Sequence, residues 1–283
     1  MLQRFFVMMF GVMLLLGACD SNDKTDGQMP DSEEKNESSQ EENDAENKSS
    51  HQSIDDIEEI FQLMKEAAQS VKSVSIIGKA EMENKIAGTA VKSAMEMQVD
   101  ATLDPFVQHA VYTVTAGEGG KTEWYATDDE MYVNLDDSGW EKVDHPLVVE
   151  AASLIHSDDY FDHFILYKDL FELKEENEHY VITYIGPDEK YQEVFYGTII
   201  SENFGEMMKE MSELMEEMSM SGEVEMKVSK QTFLIVEQRT KYTSSIGEEG
   251  FEMTASHDGA YAYTYNEADS IEMPEEVAKL AEE

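Results

Sequence analysis

Val74-Ser75-Ile76-Ile77-Gly78-Lys79-Ala80-Glu81-Met82-Glu83, followed after residues 84–90 by Val91-Lys92-Ser93-Ala94-Met95-Glu96-Met97-Gln98-Val99-Asp100-Ala101-Thr102-Leu103, alternates apolar and polar side chains. Val74, Ile76, Gly78, Ala80 and Met82 share one face of the first run, and Lys79, Glu81 and Glu83 lie on the other. Successive strand side chains point to opposite faces, so a period of two over this length predicts two long strands with one wet face. The same pattern continues outward. Asp104-Pro105 marks a turn, and strands are expected at 106–115, 121–127, 131–135 and 140–143, with turns at 117–120 and 136–139. Strand character returns at 179–185, 223–232, 234–244 and 251–265, while 188–200 is ambiguous between helix and strand.

Helical spacing frames this meander. Ile57, Ile60, Phe61, Met64, Ala67, Ala68 and Val71 fall on one helical face across 54–71, with Ser53 and Asp56 placed to cap its start. Further helices are expected at 147–157, at 203–219 and from Pro274, and 160–173 reads as a less regular apolar stretch. Few grouped helices and many long strands give an α+β plan, a large antiparallel sheet with helices on one face.

The N-terminus carries a different message. Arg4 precedes an unbroken apolar run, Phe5 to Leu16, and Leu16-Gly17-Ala18 leads into Cys19, the chain's one cysteine. The run is too short for a membrane span, which needs roughly twenty residues. Charge, apolar core and small residues come in the order of an export signal. Leu16-Gly17-Ala18-Cys19 matches the lipobox of bacterial lipoproteins, which implies cleavage after residue 18 and a diacylglyceryl thioether on Cys19. Residues 20–53 then hold eleven acidic residues, three Lys and almost nothing apolar. Such a segment cannot bury enough surface to offset the entropy of ordering and is expected to serve as a disordered tether. The expected organisation is therefore a signal peptide at 1–18, a lipidated cysteine and tether at 19–53, and one domain at 54–283. The expected location is the outer face of the bacterial cytoplasmic membrane.

The formal net charge is −42, of which −35 lies on residues 54–283. A surface of that sign argues against nucleic acid or anionic headgroups as partners. The seven histidines (His51, His109, His145, His156, His163, His179 and His257) lack paired metal spacing, and no GxSxG, SxxK, P-loop or GxGxxG occurs. Acidic pairs such as Asp128-Asp129 and Asp158-Asp159 fall in expected turns. No enzyme, metal or cofactor is expected.

One segment stands out. Phe204, Met207, Met208, Met211, Leu214, Met215 and Met218 fall within an arc of about 120° on the expected helix, opposite a run of glutamates. The face fits a core packed with flexible methionine, or one wall of a cavity for a hydrophobic ligand. Its thioether spacing also admits Cu(I), although soft-metal sites usually add His or Cys nearby. Trp124, Tyr125, Tyr132 and Trp140 lie on neighbouring expected strands, with Tyr261, Tyr263 and Tyr265 together on one face of the last. They read as cross-strand packing or as an aromatic wall of the same cavity.

Several local patterns carry a family resemblance. Met95-Glu96-Met97 runs on to Leu103-Asp104-Pro105, and Asp128-Asp129-Glu130-Met131-Tyr132-Val133 runs on to Gly139-Trp140-Glu141-Lys142. Tyr263-Thr264-Tyr265-Asn266 precedes Ile271-Glu272-Met273-Pro274-Glu275. With the lipobox and tether, these resemble an uncharacterised family of Gram-positive lipoproteins related to the LolA/LolB and LppX/LprG-like proteins. The resemblance implies a curved, incompletely closed barrel with helices on its concave side, and a cavity for acyl chains. It leads to a membrane-anchored, non-enzymatic binding protein for a lipid or acyl group. An envelope lipoprotein that contacts another protein through a solid core is the alternative, and copper binding by methionine a third.

Overall fold

The computed structural model describes residues 54–86, 89–116, 119–143, 158–196, 218–248, 251–268 and 270–281. Among these residues, eleven strands form one antiparallel sheet: β1 (Ser73–Ile86), β2 (Thr89–Leu103), β3 (Phe106–Val114), β4 (Gly120–Thr127), β5 (Met131–Leu135), β6 (Trp140–Val143), β7 (Phe171–Glu175), β8 (His179–Tyr184), β9 (Ser219–Ser229), β10 (Ile235–Glu248) and β11 (Phe251–Tyr265). Their order across the sheet is β6-β5-β4-β3-β2-β1-β11-β10-β9-β8-β7. The two outermost strands do not pair with each other, so the sheet is open, as the incomplete barrel implied. Its middle seam joins β1 to β11 with Val74 opposite Tyr265 and Gly78 opposite Tyr261.

Register fixes which side chains meet, because directly paired residues share a face. Val74, Ile76, Gly78, Ala80 and Met82 line up with Ala101, Val99, Met97, Met95 and Ser93 on one flank and with Tyr265, Tyr263, Tyr261, Gly259 and His257 on the other. This inner face holds the main core, and three helices pack on it: α1 (Ile57–Ala68), α2 (Asp158–Leu166) and α3 (Asp188–Tyr196). In α1 the Asp56 carboxylate caps the start by accepting the Glu58 N–H at 2.9 Å, and Ile60, Phe61, Met64 and Ala68 are buried. Burial of each large side chain in that row contributes about 1.5–3 kcal/mol. Lys65 donates to both carboxylate oxygens of Asp162 at 2.7 and 2.8 Å, tying α1 to α2.

The fourth helix, α4 (Glu275–Ala281), lies elsewhere. Its Val277 packs with Tyr125 and Tyr132, and Val107, Trp140, Ile271 and Leu280 join the cluster. Tyr125 and Tyr132 are direct partners, one residue out of phase with the inward Trp124 and Val133. The C-terminal helix thus packs on the outer face of the sheet at its β3–β6 end. Among the described residues, every buried residue of both clusters lies between Ile60 and Val277.

Four local expectations change. Asp158-Asp159 opens α2 rather than a turn, because Tyr160, Phe161 and Phe164 follow at spacings that bury one helical side. The irregular stretch 160–173 resolves into α2, a 3-10 turn at Lys168–Leu170 and β7, and the ambiguous 188–200 holds α3. Ser219, the expected last residue of the Met-rich helix, is instead the first of β9, where Ser245 pairs with it. The expected helix at 147–157 lies outside the described residues.

Candidate functional site

The inner face changes character from one end of the sheet to the other. Around β7, β8 and β9 it is aromatic and closely packed. Phe164 meets Phe61, Tyr160, Phe171 and Phe195 with ring centroids 5.7, 4.6, 5.5 and 6.0 Å away. Tyr184 and Tyr191 extend the cluster, and the Tyr184 hydroxyl donates to the Pro187 carbonyl at 2.8 Å. Burial, with Asp188, Glu189 and Glu193 nearby, pushes that hydroxyl up to about 12. Gly222 makes this packing possible. A Cβ there would stand 2.4 Å from the Lys241 carbonyl oxygen and 2.8 Å from the Tyr191 ring.

Across β2 to β5 the same face is built from Met95, Met97, Val99, Ala101, Phe106, Ala110, Ala126 and Met131 with three larger polar-tipped side chains. Ala110 is paired directly with Trp124. Gln108 and Tyr112 stand two residues to either side of Ala110 on the same strand, so both are diagonal neighbours of Trp124. The Tyr112 and Trp124 rings lie 5.4 Å apart at 50°. All three are more than nine-tenths buried: Gln108 at 2%, Trp124 at 5% and Tyr112 at 6% exposure. Gln108 Oε1, the Tyr112 hydroxyl and Trp124 Nε1 have no hydrogen-bond partner. Buried polar atoms are ordinarily paired, and leaving one unpaired costs about 1–3 kcal/mol. Burial pushes the Tyr112 hydroxyl well above its ordinary value, so it stays protonated and available to donate.

No side chain on the inner face of the described strands is Lys or Arg. The cations sit outside, as with Lys121, which lies 2.9 Å from Glu123, and Lys79, 2.6 Å from Glu96. His257 is the inner face's one histidine among the described strands, stacked on Tyr242 at 4.9 Å. The two border a hollow with Met82, Asn84, Ala255 and Ser256 that is too narrow to admit a water molecule.

The face also has an open end. β1, β2, β10 and β11 run 14, 15, 14 and 15 residues, whereas β3 and β9 beside them have 9 and 11. Along β2 the inward residues pass from exposed Val91 through half-buried Ser93 to buried Met95, Met97, Val99 and Ala101. Val91 is 60% exposed although it shares a face with the core.

Of the site residues expected from sequence, Trp124 lies on the inner face. Trp140 lies on the outer face, against Tyr125, Tyr132 and Val277, so the two tryptophans do not line one wall. Tyr261 and Tyr263 are buried inward and Tyr265 packs on the same core. Met218 is half-buried against it. Phe204, Met207, Met208, Met211, Leu214, Met215 and Cys19 lie outside the described residues. Tyr112 and Gln108 were not singled out by sequence. The signal that finds them is the alternation of 106–115, which puts both on the inner face with Ala110. Among the described residues, no three or more His, Cys, Asp or Glu side chains come together as metal ligands. No helix among them is long and apolar enough to cross a membrane.

A family model described as "Family of unknown function (DUF6612)" matches residues 56–282. The chain belongs to this family. The match takes in all eleven strands and α1 to α4. A comparison with curated proteins finds no match. Among solved structures, the chain is similar to a DUF1329 family protein from Desulfovibrio piger, with 11% identity, 77% of this chain and 96% of that one covered, and a TM-score of 0.29. It is similar to a LolA superfamily protein from Nitrosomonas europaea, at 9% identity with coverage of 77% and 95% and a TM-score of 0.25. A third similarity is to an outer membrane lipoprotein-sorting protein domain from Vibrio parahaemolyticus, at 6% identity with coverage of 80% and 98% and a TM-score of 0.28.

Proposed function

We propose that this member of the family is a lipid-anchored protein of the cell envelope that holds a hydrophobic ligand, a lipid or acyl chain, against the inner face of its open sheet without catalysis. The observation that carries this reading is the gradient along β2, from exposed Val91 to buried Met97 on one continuous face. Beyond the buried row this face carries Met82 and the exposed Val91 beside Ser93 and Asn84, an apolar foothold at the open end that gives a chain-like ligand a way in. Methionine on that path suits varied acyl shapes, because its unbranched side chain repacks at little cost. The anchor would be the diacylglyceryl group on Cys19, and the acidic tether would hold the domain off an anionic membrane surface.

Native mass spectrometry of residues 20–283 purified from a bacterium, with organic extraction of whatever is bound, tests the reading. The expected result is a reproducible adduct that extracts as lipid. A bare mass, with lipid extracts neither binding nor raising the melting temperature, overturns it and favours an interaction protein with a solid core. Growth with an alkyne fatty acid tests the anchor: the full chain should take up label and the Cys19→Ser variant should not.

A further inference from the structure

We infer that the ligand is an uncharged lipid whose head carries both a hydroxyl and a carbonyl or ether oxygen, bound with that head at Gln108, Tyr112 and Trp124. The inference rests on the lipid-holding reading above and names the chemistry of its ligand. Three adjacent side chains, each more than nine-tenths buried, present one unpartnered polar atom apiece on the same face. Their chemistry is complementary. Trp124 Nε1 can only donate, Gln108 Oε1 can only accept, and the Tyr112 hydroxyl does either. A pure hydrocarbon would leave all three unpaired. A glycerol ester would supply an acceptor to Trp124 and Tyr112 and a donor to Gln108. Ala110, small and fully buried, lies between Gln108 and Tyr112 on β3 and is paired directly with Trp124.

The charge of the head follows from what is missing on this face. A buried phosphate or carboxylate requires a cation or several charge-assisted donors. The inner face of the described strands offers no Lys or Arg, and residues 54–283 carry −35 overall. An anionic phospholipid would therefore be repelled on approach and uncompensated once buried. A diacylglycerol meets neither obstacle.

The chain holds two tryptophans, so Trp140→Phe leaves Trp124 as the sole tryptophan, whose emission is read by exciting to the red of tyrosine absorption. Residues 20–283 with that change, which contain the whole described core, are titrated with dioleoylglycerol brominated on its acyl chains. The comparison lipid is equally brominated dioleoylphosphatidylglycerol, and both are delivered in phosphatidylcholine vesicles. The expected result is quenching of Trp124 by the diacylglycerol at about one-tenth the concentration needed for the anionic lipid, the ratio that one charge-assisted interaction would reverse. Adding Tyr112→Phe, or separately Gln108→Leu, should weaken diacylglycerol quenching about fivefold while the melting temperature holds or rises. Equal quenching by both lipids, or no change in either variant, overturns the headgroup assignment and leaves the hydrophobic-ligand reading standing. No quenching by either lipid, together with a bare native mass, overturns both.

Discussion

The two ends of the inner face both bury large side chains, but by different means. At the β7–β9 end, Phe164 and five other aromatic rings from α1, α2, α3, β7 and β8 form one cluster, mostly edge to face, and the Tyr184 hydroxyl has its acceptor. At the β2–β5 end, methionine and alanine alternate with Gln108, Tyr112 and Trp124, whose polar tips have none. The first is a closed set of mutually shaped groups. The second is a set of groups each still lacking a partner. Burial alone therefore does not separate structural core from site. The state of the polar atoms does.

The largest effect that sharpens this contrast is expected at Phe164→Ala. Its ring touches four others, so truncation leaves a cavity those rings cannot collapse into, and the cost should be about 3–5 kcal/mol by urea unfolding. A loss below about 1 kcal/mol would mean that the aromatic end is loosely packed and the contrast false. Gly222→Ala comes next, at about 1–3 kcal/mol, because the new methyl group meets a backbone carbonyl at 2.4 Å and the Tyr191 ring at 2.8 Å.

How much of this was legible in sequence follows from the range of each signal. Alternation is local, so the β1–β2, β3–β4, β5–β6 and β10–β11 hairpins and their inward faces could be read directly. β7 could not. Its five residues, Phe171-Glu-Leu-Lys-Glu175, follow a 3-10 turn, and only pairing with β8 makes them a strand. The pairing of β1 with β11 joins residues nearly two hundred positions apart, and no local pattern encodes it. The same limit explains the candidate site. Trp124 drew notice by its size, but its relation to Gln108 and Tyr112 depends on the β3–β4 register. Trp140 looked equivalent until register placed Asn134 opposite it and turned it outward, away from Val133 and Trp124.

Two hydroxyl deletions give a smaller but more discriminating pair. Tyr184→Phe removes a satisfied hydrogen bond and should cost about 0.5–1.5 kcal/mol. Tyr112→Phe removes a buried group without a partner, so stability should hold or rise in the ligand-free domain. Equal losses in the two variants would show that Tyr112 is already paired and would erase the distinction between the ends.

The smallest effect concerns the outer side of the same β3–β4 pair, where polar groups are matched. Burial alone would raise the Glu123 carboxyl, but bonds from Lys121 and His109, each at 2.9 Å, outweigh it and hold the group below its ordinary value of 4.5. A carboxyl depressed in the folded state binds its proton more readily once unfolded, so its stabilisation is complete above the unfolded value. It is lost as pH falls through the folded one. Glu123→Gln should therefore lower stability by a few tenths of a kcal/mol, at most about 1, at pH 7, and by progressively less below pH 4.5, as urea midpoints across pH 3–7 would record. A difference that persists unchanged to the acid end would assign the loss to packing rather than charge. The paired outer groups would then resemble the inner face more than the contrast allows.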